Sequence, residues 1–175
     1  PYRRQRQMCI RDSKVIDPLF LDDLKKEFKE IQAVTVRRTK EKRLDEFQNK
    51  LASLTFLDPA CGSGNFLTET YLSLRRLENE VIRERVGGQI TLGEVHNPIK
   101  VSIQQFYGIE INDFAVTVAK TALWIAESQM LEETKNIVYG FNDDFLPLKT
   151  YVNITEGNAL RIDWNEVVPV ERLSY

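Results

Sequence analysis

A short apolar run, Leu54-Thr55-Phe56-Leu57, stops at Asp58-Pro59 and passes through Ala60-Cys61-Gly62-Ser63-Gly64 into a long segment of helical periodicity. This passage restricts the fold more than any other. A run this short and partly β-branched suits a buried parallel strand. Proline cannot continue a strand interior, so the chain turns at the strand's carboxyl end. Beyond the glycines, Phe66, Leu67, Tyr71, Leu74, Leu77 and Val81 recur on one side of a helix, with Arg75, Arg76, Glu78, Glu80 and Arg83 expected on the other. A strand, a glycine-rich turn and a helix together open a doubly wound α/β sheet.

The remainder repeats the unit. Gly87-Gly88, Gly93 and Asn97-Pro98 punctuate an irregular insertion, which holds the lone His96, read as an exposed loop residue. Residues 102–111 predict a second strand, with Phe106-Tyr107-Gly108-Ile109 at its centre and Glu110 at its carboxyl end. Asn112-Asp113 then caps a helix carrying Ala115, Val118, Ala119, Ala122, Leu123, Ala126 and Met130. Residues 131–149 read as loop. Val152-Asn153-Ile154-Thr155 predicts a third strand, followed by Glu156-Gly157-Asn158-Ala159-Leu160, and residues 172–175 read as the opening of a fourth. Trp124 and Trp164 are expected to pack against the sheet.

Upstream, Asp17-Pro18 starts an amphipathic helix through Leu19, Phe20, Leu24, Phe28 and Ile31. Residues 34–42, with Arg37, Arg38, Lys40 and Lys42, read as a solvated linker, and Leu44, Phe47 and Leu51 mark a second helix. The expected organisation is a non-native or disordered segment at 1–13, a helical segment at 14–52 and a partial cofactor-binding domain at 53–175. Without the four arginines and one aspartate of residues 1–13, the net charge falls from −2 to −5.

The chain's 175 residues suffice for one real core. No apolar run approaches the roughly 20 residues of a membrane helix. Two cysteines make no disulfide framework, so a cytoplasmic setting is expected. No Cys/His cluster suggests a metal site. The charge balance lacks the basic excess usual in a nucleic-acid-binding module, so any grip on DNA is expected to lie largely elsewhere.

A glycine-rich turn lets backbone approach a ligand closely, and the following helix N-terminus offers free N–H donors. An acid at the end of the next strand accepts ribose hydroxyls. Gly62, Gly64 and Glu110 fill these places. Two departures argue against a dinucleotide. The third glycine of G-x-G-x-x-G would fall at Leu67, and Asp58-Pro59 precedes the glycines with an acid better matched to a cationic amino acid moiety than to pyrophosphate. No Gly-Lys-Ser/Thr follows, which excludes a Walker loop.

The run Leu57-Asp58-Pro59-Ala60-Cys61-Gly62-Ser63-Gly64-Asn65-Phe66-Leu67 resembles the first motif of amino-directed DNA methyltransferases, D-P-A-C-G-S-G-x-F/L. Tyr107-Gly108-Ile109-Glu110-Ile111-Asn112 is similar to their second motif. Gly157-Asn158-Ala159-Leu160 is similar to the third, with Asn where the family more often has Asp. The longer run from Gly157 through Arg161-Ile162-Asp163-Trp164 resembles the type IIG and IIL enzymes, which fuse endonuclease, methyltransferase and target recognition, as do Phe20-Leu21-Asp22-Asp23-Leu24-Lys25 and Ala122-Leu123-Trp124.

The resemblance implies a class I methyltransferase fold, here its N-terminal half, with strand order 3-2-1-4-5. It implies S-adenosyl-L-methionine as cofactor, double-stranded DNA as partner and the adenine exocyclic amino group as methyl acceptor. Its implied cofactor residues are Asp58, Pro59, Ala60, Cys61, Gly62, Gly64, Phe66, Glu110, Ile111, Asn158, Ala159 and Leu160. Asp58 would face the methionine end, Glu110 the ribose hydroxyls and Ile111 one adenine face. Asn158 would accept from the cofactor's adenine amino group, which its neutral carbonyl can do, and Leu160 would close the other face. Cys61 is read as a small buried loop residue; cytosine-C5 enzymes use a Pro-Cys nucleophile, and here Ala60 separates Pro59 from Cys61. The family's catalytic Asn/Asp/Ser-Pro-Pro-Tyr/Phe does not occur in this sequence. It is expected past Tyr175, so no catalytic residue is assigned. RNA or protein amino-methylation, a nucleotide-binding oxidoreductase domain and a non-catalytic scaffold are the competing readings.

Overall fold

The computed structural model describes residues 16–87, 98–138 and 152–169. The expectations for residues 1–13, for His96 and the insertion at 88–97, and for a fourth strand at 172–175 lie outside these residues. The chain divides into two compact units, with the boundary between Phe47 and Gln48.

In the first unit, a π-helical turn, Asp17–Leu21, runs directly into α1, Asp22–Gln32. The Asp22 N–H bonds back five residues to the Asp17 carbonyl. That wider turn shifts the apolar face: Leu21, Leu24, Phe28 and Ile31 are buried, whereas Leu19, expected on the buried side, is 65% exposed. Helix α2, Arg37–Ser53, begins within the stretch expected to be a linker. Thus Arg37 to Lys42 are helical, because each joins the i→i−4 ladder that Leu44 and Phe47 stabilise by burial. Phe28 and Phe47 stack with centroids 5.8 Å apart.

The second unit is built on a three-stranded parallel sheet in the order β1-β2-β3. Its strands are β1, Phe56–Asp58, β2, Phe106–Glu110, and β3, Asn153–Glu156. Helix α3, Asn65–Val86, connects the first two and α4, Asp113–Lys135, the second two. A last short helix, α5, spans Trp164–Val167. Both crossovers step the same way across the sheet, so right-handed connections lay α3 and α4 side by side on one face, and these helices pack on each other. The neighbouring strands pair β3-β2-β1, as the first three of 3-2-1-4-5 require.

Two boundaries differ from the expectation. Residues 102–105 are not strand. Ser102 and Gln105 form a capping box around a 3₁₀ turn, Ile103–Gln105, and the Gln105 side chain also donates to the Leu51 and Leu54 carbonyls. That one glutamine holds the entry of β2 beside the entry of β1. Helix α4 also continues to Lys135 through residues expected to be loop, with Met130 and Thr134 buried.

The larger correction concerns α3. Arg75 and Glu78, expected on the solvent face, are 1% and 0% exposed. Arg75 pairs with Glu78 and donates to Thr134 Oγ1 of α4 at 2.8 Å. Glu78 Oε1 accepts from Gln48 Nε2 at 2.8 Å and from the backbone N–H of Lys100 at 2.7 Å; the Val101 N–H reaches the same carboxylate. Thr134 in turn donates to Asn79 Oδ1 at 2.7 Å. A buried charge is tolerable only when paired and hydrogen-bonded; of this pair Arg75 Nε alone is without a partner, and the contacts gather α2, α3, α4 and the segment leading to β2 at one place. Arg76, Glu80 and Arg83 are exposed, as expected.

Candidate functional site

The period-two alternation of β2 places Phe106, Gly108 and Glu110 in a row on one face. Phe106 stacks on Phe56 of β1 at 5.0 Å and meets the Tyr71 ring of α3 edge-on at 5.5 Å. Two residues on, Gly108 lies beneath Cys61: a Cβ there would approach Cys61 Sγ to 2.8 Å and Ile154 Cδ1 to 2.7 Å. Two residues further, Glu110 passes the end of β1, whose last residue Asp58 pairs with Gly108. Its carboxylate therefore meets the loop, and Oε2 accepts from the Gly62 N–H at 2.9 Å.

The loop continues the sheet's bonding, since the Cys61 N–H donates to the Ile109 carbonyl at 3.1 Å. Asp58 Oδ1 accepts from the Ala60 N–H at 3.0 Å, which closes the turn behind Pro59. Gly62 and Gly64 both take left-handed backbone, with φ of +52° and +76°, a region open to glycine at little cost. Their surroundings separate them. A Cβ at Gly62 would meet nothing within 4 Å, whereas one at Gly64 would strike Ala119 Cβ of α4 at 2.9 Å. Gly62 leaves open space; Gly64 permits helix packing. Gly64 is also the N-cap of α3 and provides no side-chain cap, so the first-turn N–H donors face outward as an anion-accepting end.

Glu110 is fixed from several sides. Its Oε1 accepts from the Asn112 N–H at 2.9 Å, and its backbone carbonyl accepts from the Gly157 N–H at 2.8 Å. The Gly62 and Gly157 bonds bring all three predicted segments to one edge of the sheet. Asn158 is half-buried there, and its Oδ1 accepts from the Leu160 N–H at 3.0 Å. A carbonyl oxygen has two lone pairs, so one remains for a ligand. Phe66 and Ala159 are half-buried, Pro59 likewise, and Ala60 is exposed. Ile111 and Leu160 turn most of their surface to solvent: they are 69% and 93% exposed.

Cys61 is buried, at 6% exposure. Burial, and then the nearby carboxylates of Asp58 and Glu110, push its thiol up from 9.0 to about 11. A protonated thiol packed on Gly108 is no nucleophile, in agreement with its reading as a loop filler. The smaller part of that shift, from Asp58 and Glu110, reflects two carboxylates close to the loop.

Three contributors escaped the sequence reading. Gly108 carries a signal, since glycine inside an apolar strand marks close backbone approach. Ala119 gives none, because it is one of several small residues on α4. Trp164, expected against the sheet, is 46% exposed, and its Nε1 donates to the Ala159 carbonyl at 2.8 Å. It braces the loop after β3, a role that depends on the Asp163 cap turning α5 back toward that loop.

Residues 34–174 match the family described as MmeI, DNA-methyltransferase domain. The chain belongs to the MmeI DNA-methyltransferase family. It is 45% identical over 158 residues to DNA methyltransferase A of Bacillus subtilis, covering 90% of this chain and 17% of that protein. It is 34% identical over 74 residues to the adenine-specific methyltransferase PglX of Streptomyces coelicolor, covering 42% of this chain and 5% of that one. A solved structure of the type IIL restriction-modification enzyme MmeI in complex with DNA superposes with a TM-score of 0.81 at 40% identity, covering 93% of this chain and 21% of that chain. The chain thus spans about a fifth or less of the relatives it matches. Its sheet and crossover helices are the N-terminal half of the class I methyltransferase fold.

Proposed function

We propose that this chain is the cofactor-holding part of an adenine-specific DNA methyltransferase of a restriction-modification enzyme, and that it binds S-adenosyl-L-methionine at the edge formed by Asp58–Gly64, Glu110–Ile111 and Asn158–Leu160. The observation that carries the reading is the convergence on Glu110. Gly62 and Gly157 both donate to it, beside the open space over Gly62.

The residues present fit this cofactor. Each Glu110 oxygen accepts one backbone N–H and keeps lone-pair capacity for a ribose hydroxyl. The exposed Ile111 and Leu160 offer apolar surface for an adenine ring, and Asn158 a carbonyl for its amino group. The uncapped first turn of α3 suits a carboxylate, and the field of Asp58 and Glu110 suits an ammonium and a sulfonium. A dinucleotide's pyrophosphate would meet that same field unfavourably. When bound, the cofactor supplies an electrophilic methyl group on a positively charged sulfur. This chain's residues would hold and orient it and exclude water from the adenine faces; none is assigned to the acceptor amine. Adenine as the acceptor rests on the motif likeness and on PglX among the relatives.

Titration calorimetry of the chain with S-adenosylhomocysteine tests the site. Binding weakened at least tenfold by Glu110→Ala, as loss of charge-assisted hydrogen bonds worth about 1.5–3 kcal/mol requires, supports it. Heat with NAD and none with S-adenosylhomocysteine would favour the oxidoreductase reading and overturn ours.

A further inference from the structure

We propose that the outer face of α2 near Arg38, Lys42 and Arg43 binds the phosphate backbone of duplex DNA. The proposal rests on the reading of the chain as part of a DNA methyltransferase. The first two turns of α2, Arg37 to Arg43, hold five cations against one acid, Glu41, in a chain whose net charge is −2. No acid stands in the first turn. Cations at a helix N-terminus oppose the macrodipole, at a cost of about 0.3–1 kcal/mol each. Helix stability therefore gives no reason for them.

Pairing accounts for only part of the cluster. Arg37 pairs with Glu41 at 2.9 Å and Lys42 with Glu46 at 3.5 Å, both exposed. Such pairs are worth about 0–1 kcal/mol and exchange readily for another anion. Arg38 and Arg43 have no acidic partner among the described residues, and both are exposed. Packing does not recruit them either. Leu44 and Phe47 carry the buried face, and at 100° per residue Arg38 and Lys42 fall opposite it, one turn apart, with Arg43 on the flank.

The geometry matches a regular polyanion. Four residues of helix rise put Arg38 and Lys42 about 6 Å apart along one face, with Arg43 about 1.5 Å further on and round the flank, a separation comparable to the roughly 7 Å of two axial steps along one DNA strand at about 3.4 Å each. Two unpaired guanidiniums suit this role, since arginine engages phosphate oxygens bidentately. Contacts of this kind position the duplex and read no sequence. The span matched by the methyltransferase family begins at residue 34, so this stretch belongs to that domain.

The test is fluorescence anisotropy of a labelled duplex of about 20 base pairs, titrated with the whole 175-residue chain between about 50 and 200 mM salt. Arg38→Gln with Arg43→Gln should lower the slope of log K against log salt by about 1.8, at ~0.9 per lost contact, and weaken binding about tenfold or more at the low-salt end. The loss should be equal for unrelated duplex sequences. Arg76→Gln with Arg83→Gln removes the same charge from the exposed face of α3 and should change affinity by no more than about twofold. Equal slopes for the two double variants, or no salt-dependent binding by the unaltered chain, would overturn the proposal. Calorimetry with S-adenosylhomocysteine on the same proteins separates the two readings. Cofactor binding kept while the duplex arm fails sinks this surface alone, and duplex binding without cofactor binding sinks the cofactor assignment alone.

Discussion

The carboxyl edge of the sheet and the interior between α3 and α4 invert the usual placement of polar and apolar groups in opposite directions. At the edge, Ile111 and Leu160 stand in solvent while glycines hold left-handed turns. In the interior, Arg75 and Glu78 are buried, paired with each other and bonded by four neighbouring groups, from Gln48, Lys100, Val101 and Thr134. The interior arrangement stabilises the fold because both charges are paired and the Glu78 carboxylate is fully engaged, which leaves only Arg75 Nε and Asn79 Nδ2 of this cluster buried without a partner. The edge arrangement is incomplete in a directed way, with open space over Gly62 and exposed apolar side chains just past the ends of β2 and β3. Exposed large apolar groups beside conformationally demanding glycines mark a surface that gains by covering. A site and a structural lock can thus be told apart by what each leaves unsatisfied.

Breaking the interior should have the largest effect. Glu78→Ala leaves the Arg75 guanidinium buried and orphans the Lys100 and Val101 N–H groups, so urea unfolding should show a loss of about 3–5 kcal/mol. Replacing the pair together, Arg75→Met with Glu78→Leu, should recover only part, because the backbone donors stay unpaired. Full recovery would show that the carboxylate serves Arg75 alone.

The two loop glycines sharpen the contrast at the edge itself. Gly64→Ala places a Cβ at 2.9 Å from Ala119 Cβ on left-handed backbone and should cost about 2–4 kcal/mol, from overpacking and strain together. Gly62→Ala carries only the backbone part, about 1–2 kcal/mol, since open space receives its methyl. On the proposed function, that methyl occupies ligand space, so S-adenosylhomocysteine binding should be lost while the fold survives. Equal stability losses at the two positions would erase the distinction.

The smallest effect is a pH dependence. The fold holds the Cys61 thiol protonated, raised from 9.0 to about 11. An acid whose pKa rises on folding contributes stability that is present below its unfolded value and lost as pH climbs through the folded one. Stability should therefore decline between about pH 9 and 11, and Cys61→Ser should flatten that decline. Alkylation of native Cys61 should be slow at pH 8, as followed by mass spectrometry.

Much of this was legible in the residues. Strand, glycine turn and helix around Asp58–Gly64 identify themselves, because proline, glycine and helical periodicity are local signals. So does Glu110, which closes an apolar strand. The order of the three motif segments follows from chain order in a doubly wound sheet. The helical state of Arg37 to Lys42 was not legible, because a polar, charged stretch looks alike as linker or helix until a neighbouring buried face stabilises it. Arg75 and Glu78 escape it for a related reason: periodicity assigns charges to solvent unless partners are known, and theirs come from Gln48, Lys100, Val101 and Thr134, 22 to 59 residues away.

By itself, then, the sequence determined where the chain turns, which residues can tolerate those turns, and which acid ends the second strand, since each depends on neighbours a few positions away. Only the tertiary structure decided that Gly62 opens onto space while Gly64 seats a helix. It alone decided that Cys61 lies on Gly108, and that the buried Arg75–Glu78 pair gathers three helices. Those outcomes depend on distances between segments far apart in the chain, set by the parallel register of β1, β2 and β3 and by the packing of α3 on α4.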